Sequence, residues 1–90
     1  MNYQITIEDH KFNPASLTIS VNDTVTWVNN DAMKHTATRT APPAFDTGRI
    51  SPGTSSLPVT FQQISPADGF EYFCQPHPYM RARIIVTEIQ

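Results

Sequence analysis

Three side chains able to hold a metal recur at intervals of three near the C-terminus: Cys74, His77 and Met80, in the run Tyr72-Phe73-Cys74-Gln75-Pro76-His77-Pro78-Tyr79-Met80. Thiolate, imidazole and thioether together are soft to borderline donors, and such a set selects copper over magnesium or calcium. Pro76 and Pro78 flank His77. Each fixes its own φ and lacks a backbone N–H, so the run is stiff and offers few donors to the sulfur. One Cys with a weak Met points to a trigonal arrangement of two histidines and a thiolate with a long axial Met. That arrangement needs a second histidine, and of the 3 in the chain only His10 and His35 remain. His35 follows an apolar stretch and the Asn29-Asn30-Asp31 loop, far enough before Cys74 to come from a different strand pair. A distant histidine plus one short loop is the pattern that pins an ion between two strand ends. His10 sits beside Lys11 in a turn and reads as an exposed residue.

Taken singly these residues mean little. A lone Cys is most often a buried inert thiol, and a lone Met is most often core filler. Their joint spacing at the end of a strand carries the reading. Asp31 near His35 also allows a Cys-His-Asp nucleophile, but no glycine-rich loop is present to hold an oxyanion. Met33, in the His35 loop, is either a second axial candidate or part of an apolar rim. Trp27 and Tyr72 fall within apolar strands and read as core rather than as redox relays, as do Phe12, Phe61 and Phe73.

The elements that must position these ligands are strands. Tyr3 to Glu8 and Leu17 to Val21 alternate apolar and polar with period two, the pattern of half-buried strands. Thr24 to Val28 is rich in β-branched residues, and Asn22-Asp23 before it is a turn signal. Phe12-Asn13-Pro14 breaks the first strand. Short strands are expected over Thr36 to Thr38, Phe45 to Ile50 and Ser56 to Phe61, the last an edge strand because it holds Pro58. Residues 62–69 show no long helical period. Phe70 to Cys74 and Arg81 to Glu88 close the chain as strands. Seven to eight short strands between Pro, Gly, Asn and Asp turns predict an all-β sandwich or barrel.

Length and composition bound the rest. Ninety residues suit one domain, residues 1–90, with one core. The net charge is −2 and the basic residues are scattered, so neither nucleic acid nor an anionic membrane surface is an expected partner. No apolar run reaches the roughly 18 residues that span a bilayer. The first residues read as a strand rather than a signal peptide. With 1 cysteine there is no internal disulfide, and Cys-rich zinc sites are excluded.

These residues resemble the cupredoxins, the small blue copper proteins, and most of all the amicyanin and plastocyanin branch. Cys74-Gln75-Pro76-His77-Pro78-Tyr79-Met80 is similar to the short amicyanin ligand loop, Cys-x-Pro-His-Pro-x-Met. Phe12-Asn13-Pro14-Ala15-Ser16-Leu17 is similar to the family's Phe-x-Pro-x-x-Leu. Asn22-Asp23-Thr24-Val25-Thr26-Trp27-Val28-Asn29 is similar to its Gly-Asp-x-Val-x-Trp-x-Asn. Phe45-Asp46-Thr47-Gly48 and Pro52-Gly53 fit the middle of the pattern. Asn22 stands where the family has Gly, and Asn tolerates the left-handed backbone there. Lys34 stands where relatives often have Pro. Thr36 stands where many have an Asn that ties the two ligand loops together; its hydroxyl has a shorter reach.

The resemblance implies a Greek-key β-sandwich and one type 1 copper ion. His35, Cys74 and His77 are the in-plane ligands and Met80 the axial one. The Thr36 backbone N–H is the expected donor to the sulfur. The implied function is electron transfer without substrate turnover, with copper carriage or storage as the alternative. Redox partners would dock briefly on an apolar patch around His77, with Pro76, Pro78, Tyr79 and Met33. The protein is expected to be a monomer working outside the cytoplasm. The short loop also suggests that His77 of the reduced protein protonates and leaves Cu(I) in mild acid.

Overall fold

The computed structural model describes residues 1–88. Strand β1 (Asn2–Glu8) turns its alternate residues Ile5 and Ile7 inward, fully buried, as the period-two pattern requires. Strand β2 (Lys11–Asn13) folds back on it antiparallel, with Lys11 opposite Glu8. The two-residue turn between them is Asp9-His10, both with positive φ, 53° and 57°. Positive φ at both central positions is the signature of a type I′ hairpin, whose twist matches that of the flanking strands. The sequence predicted a break at Phe12; instead Phe12 is paired and buried, and the strand ends only before Pro14.

Strand β3 (Ser16–Ser20) leads through the Asn22 turn, φ 74°, into β4 (Thr24–Asn29). The left-handed Asn22 fulfils the expectation that Asn replaces Gly there. The short strands β5 (Thr38–Arg39), β6 (Phe45–Asp46) and β7 (Val59–Thr60) follow, then β8 (Phe70–Cys74) and β9 (His77–Thr87). One sheet has the order β2-β1-β4-β7, the other β3-β9-β8-β5-β6. β1 runs parallel to β4, with Ile5 opposite Trp27 and Ile7 opposite Asn29. β3 runs parallel to β9. The edge strand expected over Ser56 to Phe61 shrinks to β7 at the margin of its sheet, and Pro58 lies just before it rather than within it. Residues 62–69 hold only turns and irregular chain. At their end Gly69 has φ 85°, and a Cβ on it would lie 2.8 Å from the Ile84 carbonyl oxygen. Only glycine lets the chain run this close to β9 on its way into β8.

The inward faces meet in one aromatic core. Trp27 Nε1–H donates to Tyr72 Oη at 3.2 Å, with both side chains fully buried. Phe12 packs edge-on to Tyr72 at 4.8 Å, and Trp27 stacks on Phe45 at 5.6 Å. Trp27 comes from one sheet and Tyr72 and Phe45 from the other, so this cluster locks the layers together. The fold is the all-β sandwich expected. It has nine strands among the described residues, counting the two-residue ones, because the chain before Pro14 forms a hairpin. The last strand also starts at His77, four residues before the predicted Arg81.

Candidate metal centre

Cys74 ends β8, His77 begins β9, and the two lie opposite each other across Gln75-Pro76. The ladder then slips. Phe73 pairs with Arg81, so residues 78–80 drop out of regular pairing. Pro78 has no N–H with which to continue the ladder, the usual reason for an irregularity at proline. The slip sends Met80 inward, 3% exposed, and Tyr79 outward, 70% exposed. The ligand run is therefore a bulged hairpin rather than a loop, and the bulge aims the thioether.

His35 lies in the segment between β4 and β5, and a clamp holds it. The buried Asn29 side chain donates to the carbonyls of Met33 and Ile50, both at 2.8 Å, and accepts from the Asp31 N–H at 2.9 Å. His35 and Ile50 exchange backbone hydrogen bonds, N–H to O 3.3 Å and 2.7 Å. Two segments thus converge on one buried amide, and the His35 ring is sealed from solvent. Its Nδ1 stands 3.5 Å from Cys74 Sγ, and His77 Nδ1 stands 3.6 Å from the same sulfur.

The donor set fits a metal ion. Bonds of about 2.0–2.1 Å to nitrogen and 2.3 Å to sulfur, at angles from tetrahedral to trigonal, set N and S roughly 3.5–3.8 Å apart. Both separations found here fall in that span. Cys74 is buried and free, and Met80 is the further sulfur buried beside this loop. Met33, the other axial candidate, is half exposed and belongs to the rim.

The sulfur has the donor expected of it: the Thr36 N–H reaches Cys74 Sγ at 3.4 Å. The Thr36 hydroxyl also bridges the loops despite its short reach. It accepts from the Gln75 N–H at 2.9 Å and bonds Thr38 Oγ1 at 2.9 Å. Thr38 Oγ1 in turn donates to the Asp46 carboxylate at 3.1 Å. The chain runs in one direction, Gln75 to Thr36 to Thr38 to Asp46, and each bond polarises the next.

Two residues near the centre have roles that the sequence reading did not assign to them. Asp31 Oδ2 accepts from His35 Nε2 at 2.8 Å and from the His10 backbone N–H at 3.1 Å. A carboxylate only accepts, so Nε2 carries the proton and the Nδ1 lone pair faces Cys74. The hydrogen bond from His35, then that from the His10 N–H, hold the Asp31 carboxyl below its ordinary pKa. His10, read as a plain exposed turn residue, lies edge-on to His35 at 5.2 Å and to His77 at 4.9 Å. Partial burial, then repulsion from His35 and His10, lowers the pKa of His77, with Asp31 opposing. The available signals were the i,i+4 spacing of Asp31 and His35 and the parallel β1–β4 register. Pairing Ile7 with Asn29 carries the Asp9-His10 turn to the start of the His35 loop.

The chain is similar to known copper proteins in sequence and in fold. A family model described as copper binding proteins, plastocyanin/azurin family, matches residues 1–87. Amicyanin of Paracoccus versutus is 33% identical over 89 residues, and amicyanin of Paracoccus denitrificans 29% over 82 residues. The alignments cover 89% and 91% of this chain. The chain spans 61% and 63% of the length of those two relatives. The crystal structure of the P. versutus amicyanin superposes with a TM-score of 0.83 at 30% identity, covering 93% of this chain and 79% of that one. A reduced Cu(I) form of an amicyanin variant gives 0.84 at 28% identity, over 93% of this chain and 80% of that one. With the matched model spanning both sheets and the Cys74 hairpin, the chain belongs to the plastocyanin/azurin family of copper-binding proteins.

Proposed function

We propose that this chain is a single-domain type 1 copper protein that carries one electron at a time between redox partners. His35, Cys74, His77 and Met80 would hold the ion. The observation that carries this reading is the pair of imidazole Nδ1 atoms at 3.5 and 3.6 Å from one buried thiol. Copper, when bound, supplies the one-electron couple. Four protein donors leave no open position of the kind catalytic metals use, which favours electron transfer over substrate turnover.

The chain's own residues do the rest. Cys74 must lose its proton on loading. The Thr36 N–H draws charge from the sulfur, and such hydrogen bonds raise or lower the potential together with the axial contact. Asp31 fixes the His35 ring, and the Asn29 clamp and Thr36 chain keep both ligand segments in place in either oxidation state. His77 is the partly exposed ligand, next to the exposed Tyr79 and on the side of Pro76 and Pro78. An apolar rim of this kind, with Met33, suits brief docking of a redox protein over less than about 1,200 Å². The protein acts as a monomer outside the cytoplasm, in keeping with the amicyanin likeness.

Electron self-exchange separates this reading from copper carriage or storage. A mixture of oxidised and reduced protein should show exchange-broadened NMR signals from residues around His77, with broadening that scales with the oxidised fraction. Two separate, unbroadened sets of signals would leave storage as the better reading.

A further inference from the structure

The ligands proposed above raise a question of access. Cys74 and His35 are fully buried and Met80 is 3% exposed, so an ion arriving from water cannot meet them first. His10 can. Its side chain is 35% exposed, and it stands beside both ligand imidazoles. The ligand atoms of His10, His35 and His77 all lie within 4.8 Å of one another. Beneath His10 opens a surface cleft of about 190 Å³, bordered by Phe12, Tyr79 and Arg81, with Met80 also in its wall. The cleft therefore reaches from the partly exposed His10 to Met80 of the buried site.

The placement of His10 is built. It occupies a left-handed position, φ 57°, where Asn or Gly is the easier choice. Its backbone N–H is tied to Asp31, and its Nδ1 lies 3.6 Å from the same carboxylate. Lys11 and Arg81 also border the cleft. Arg81 is engaged by Glu71 at 3.1 Å, and Asp31 gives the imidazole an anionic neighbour. Two partly exposed imidazoles, those of His10 and His77, form a donor pair that suits copper.

Resting on the copper reading above, we propose that His10 is the acquisition ligand for Cu(I). It takes the ion at the surface together with the partly exposed His77 and passes it inward to Cys74. The transfer is a ligand exchange. The bond from copper to His10 breaks, the bond to Cys74 sulfur forms, the thiol proton leaves to water, and copper stays Cu(I) throughout.

The test is anaerobic stopped-flow loading of the apo-protein with Cu(I) supplied as its acetonitrile complex, followed by the ultraviolet thiolate-to-copper absorption. His10→Asn keeps a residue that accepts positive φ and keeps the N–H to Asp31, so it removes only the imidazole. Loading should slow by about tenfold or more, as expected when a pre-positioned second donor is lost. The end point should still reach the wild-type ratio of copper to protein. Loading of His10→Asn at the wild-type rate would overturn the proposal while leaving the copper site standing. Failure of the wild-type chain to take up Cu(I) would overturn both. An equilibrium measurement guards against a folding artefact. With Cys74→Ala closing the inner site, Ag(I) should shift the His10 ring signals in NMR, and unshifted His10 signals would overturn the proposal.

Discussion

Replacing Asp31 with Ala tests whether the carboxylate behind His35 sets copper affinity. In the structure Asp31 Oδ2 is 2.8 Å from His35 Nε2 and also accepts the His10 N–H, while Oδ1 accepts from the Ala32 N–H at 3.3 Å. The substitution removes the acceptor that holds the proton on Nε2. His35 is then free to put its proton on Nδ1, the atom facing Cys74, and that tautomer cannot bind a metal through Nδ1. Loss of such an outer partner lowers metal affinity by about 10–100-fold, or roughly 1.4–2.7 kcal/mol. Asp31→Asn keeps an oxygen acceptor without the charge. A neutral hydrogen bond has about half the strength of a charge-assisted one, so its loss should be smaller. Competition for Cu(I) against a chromophoric chelator gives both affinities directly. The order wild type, Asn, Ala is expected. An Ala variant that folds and binds copper within about twofold of wild type, below the smallest loss expected, would refute the argument.

Other outcomes follow from the same structure. Thr36→Val removes the hydroxyl joining Gln75 to Thr38, about two hydrogen bonds at roughly 1 kcal/mol each. For a domain of this size the apo-protein should melt about 8–16 °C lower, and a calorimetric shift under 3 °C would contradict the bracing role. Tyr72→Phe leaves the Trp27 indole N–H buried without its partner. The urea midpoint should fall by the equivalent of about 1–3 kcal/mol at unchanged slope, and an unmoved midpoint would count against that bond. The Met1 amine, then the Ser20 N–H, lower the Asp23 carboxyl. A lowered pKa contributes stability that is present above the ordinary carboxyl value and fades as pH falls through the folded one. Asp23→Asn should therefore flatten the acid limb of the stability profile, and identical acid limbs in urea titrations would exclude this contribution.

Much of the fold was legible because period-two alternation and proline are local signals. Phe70–Cys74 and the edge position of the strand near Pro58 were read on those grounds alone. The hairpin at Asp9-His10 was not, because neither residue advertises a left-handed turn as Gly does. It exists because pairing Lys11 with Glu8 buries Phe12 against Tyr72. The early start of β9 was hidden for a related reason. Two prolines make residues 76–80 look like a loop, yet the slip at Pro78 lets His77 pair with Cys74. Cys74, His77 and Met80 stood out through their spacing, and His35 was found by elimination and resemblance. Asp31 was noticed beside His35 but read only as part of a possible nucleophile, and His10 stayed hidden because its place comes from a parallel register between distant strands. Thr36 was read correctly as the donor to sulfur. Its bracing role depends on Thr38 and Asp46, which only the folded β5–β6 pair brings together.

The most direct test of the copper reading is a titration of the apo-protein with Cu(II), followed by visible absorption, for the wild type and Cys74→Ala. The wild type should turn intensely blue, with a thiolate-to-copper charge-transfer band that saturates at one ion per chain, and Cys74→Ala should stay pale. A weak, pale spectrum from the wild type, or the same band from both proteins, would show that Cys74 is not a ligand and would contradict the assignment.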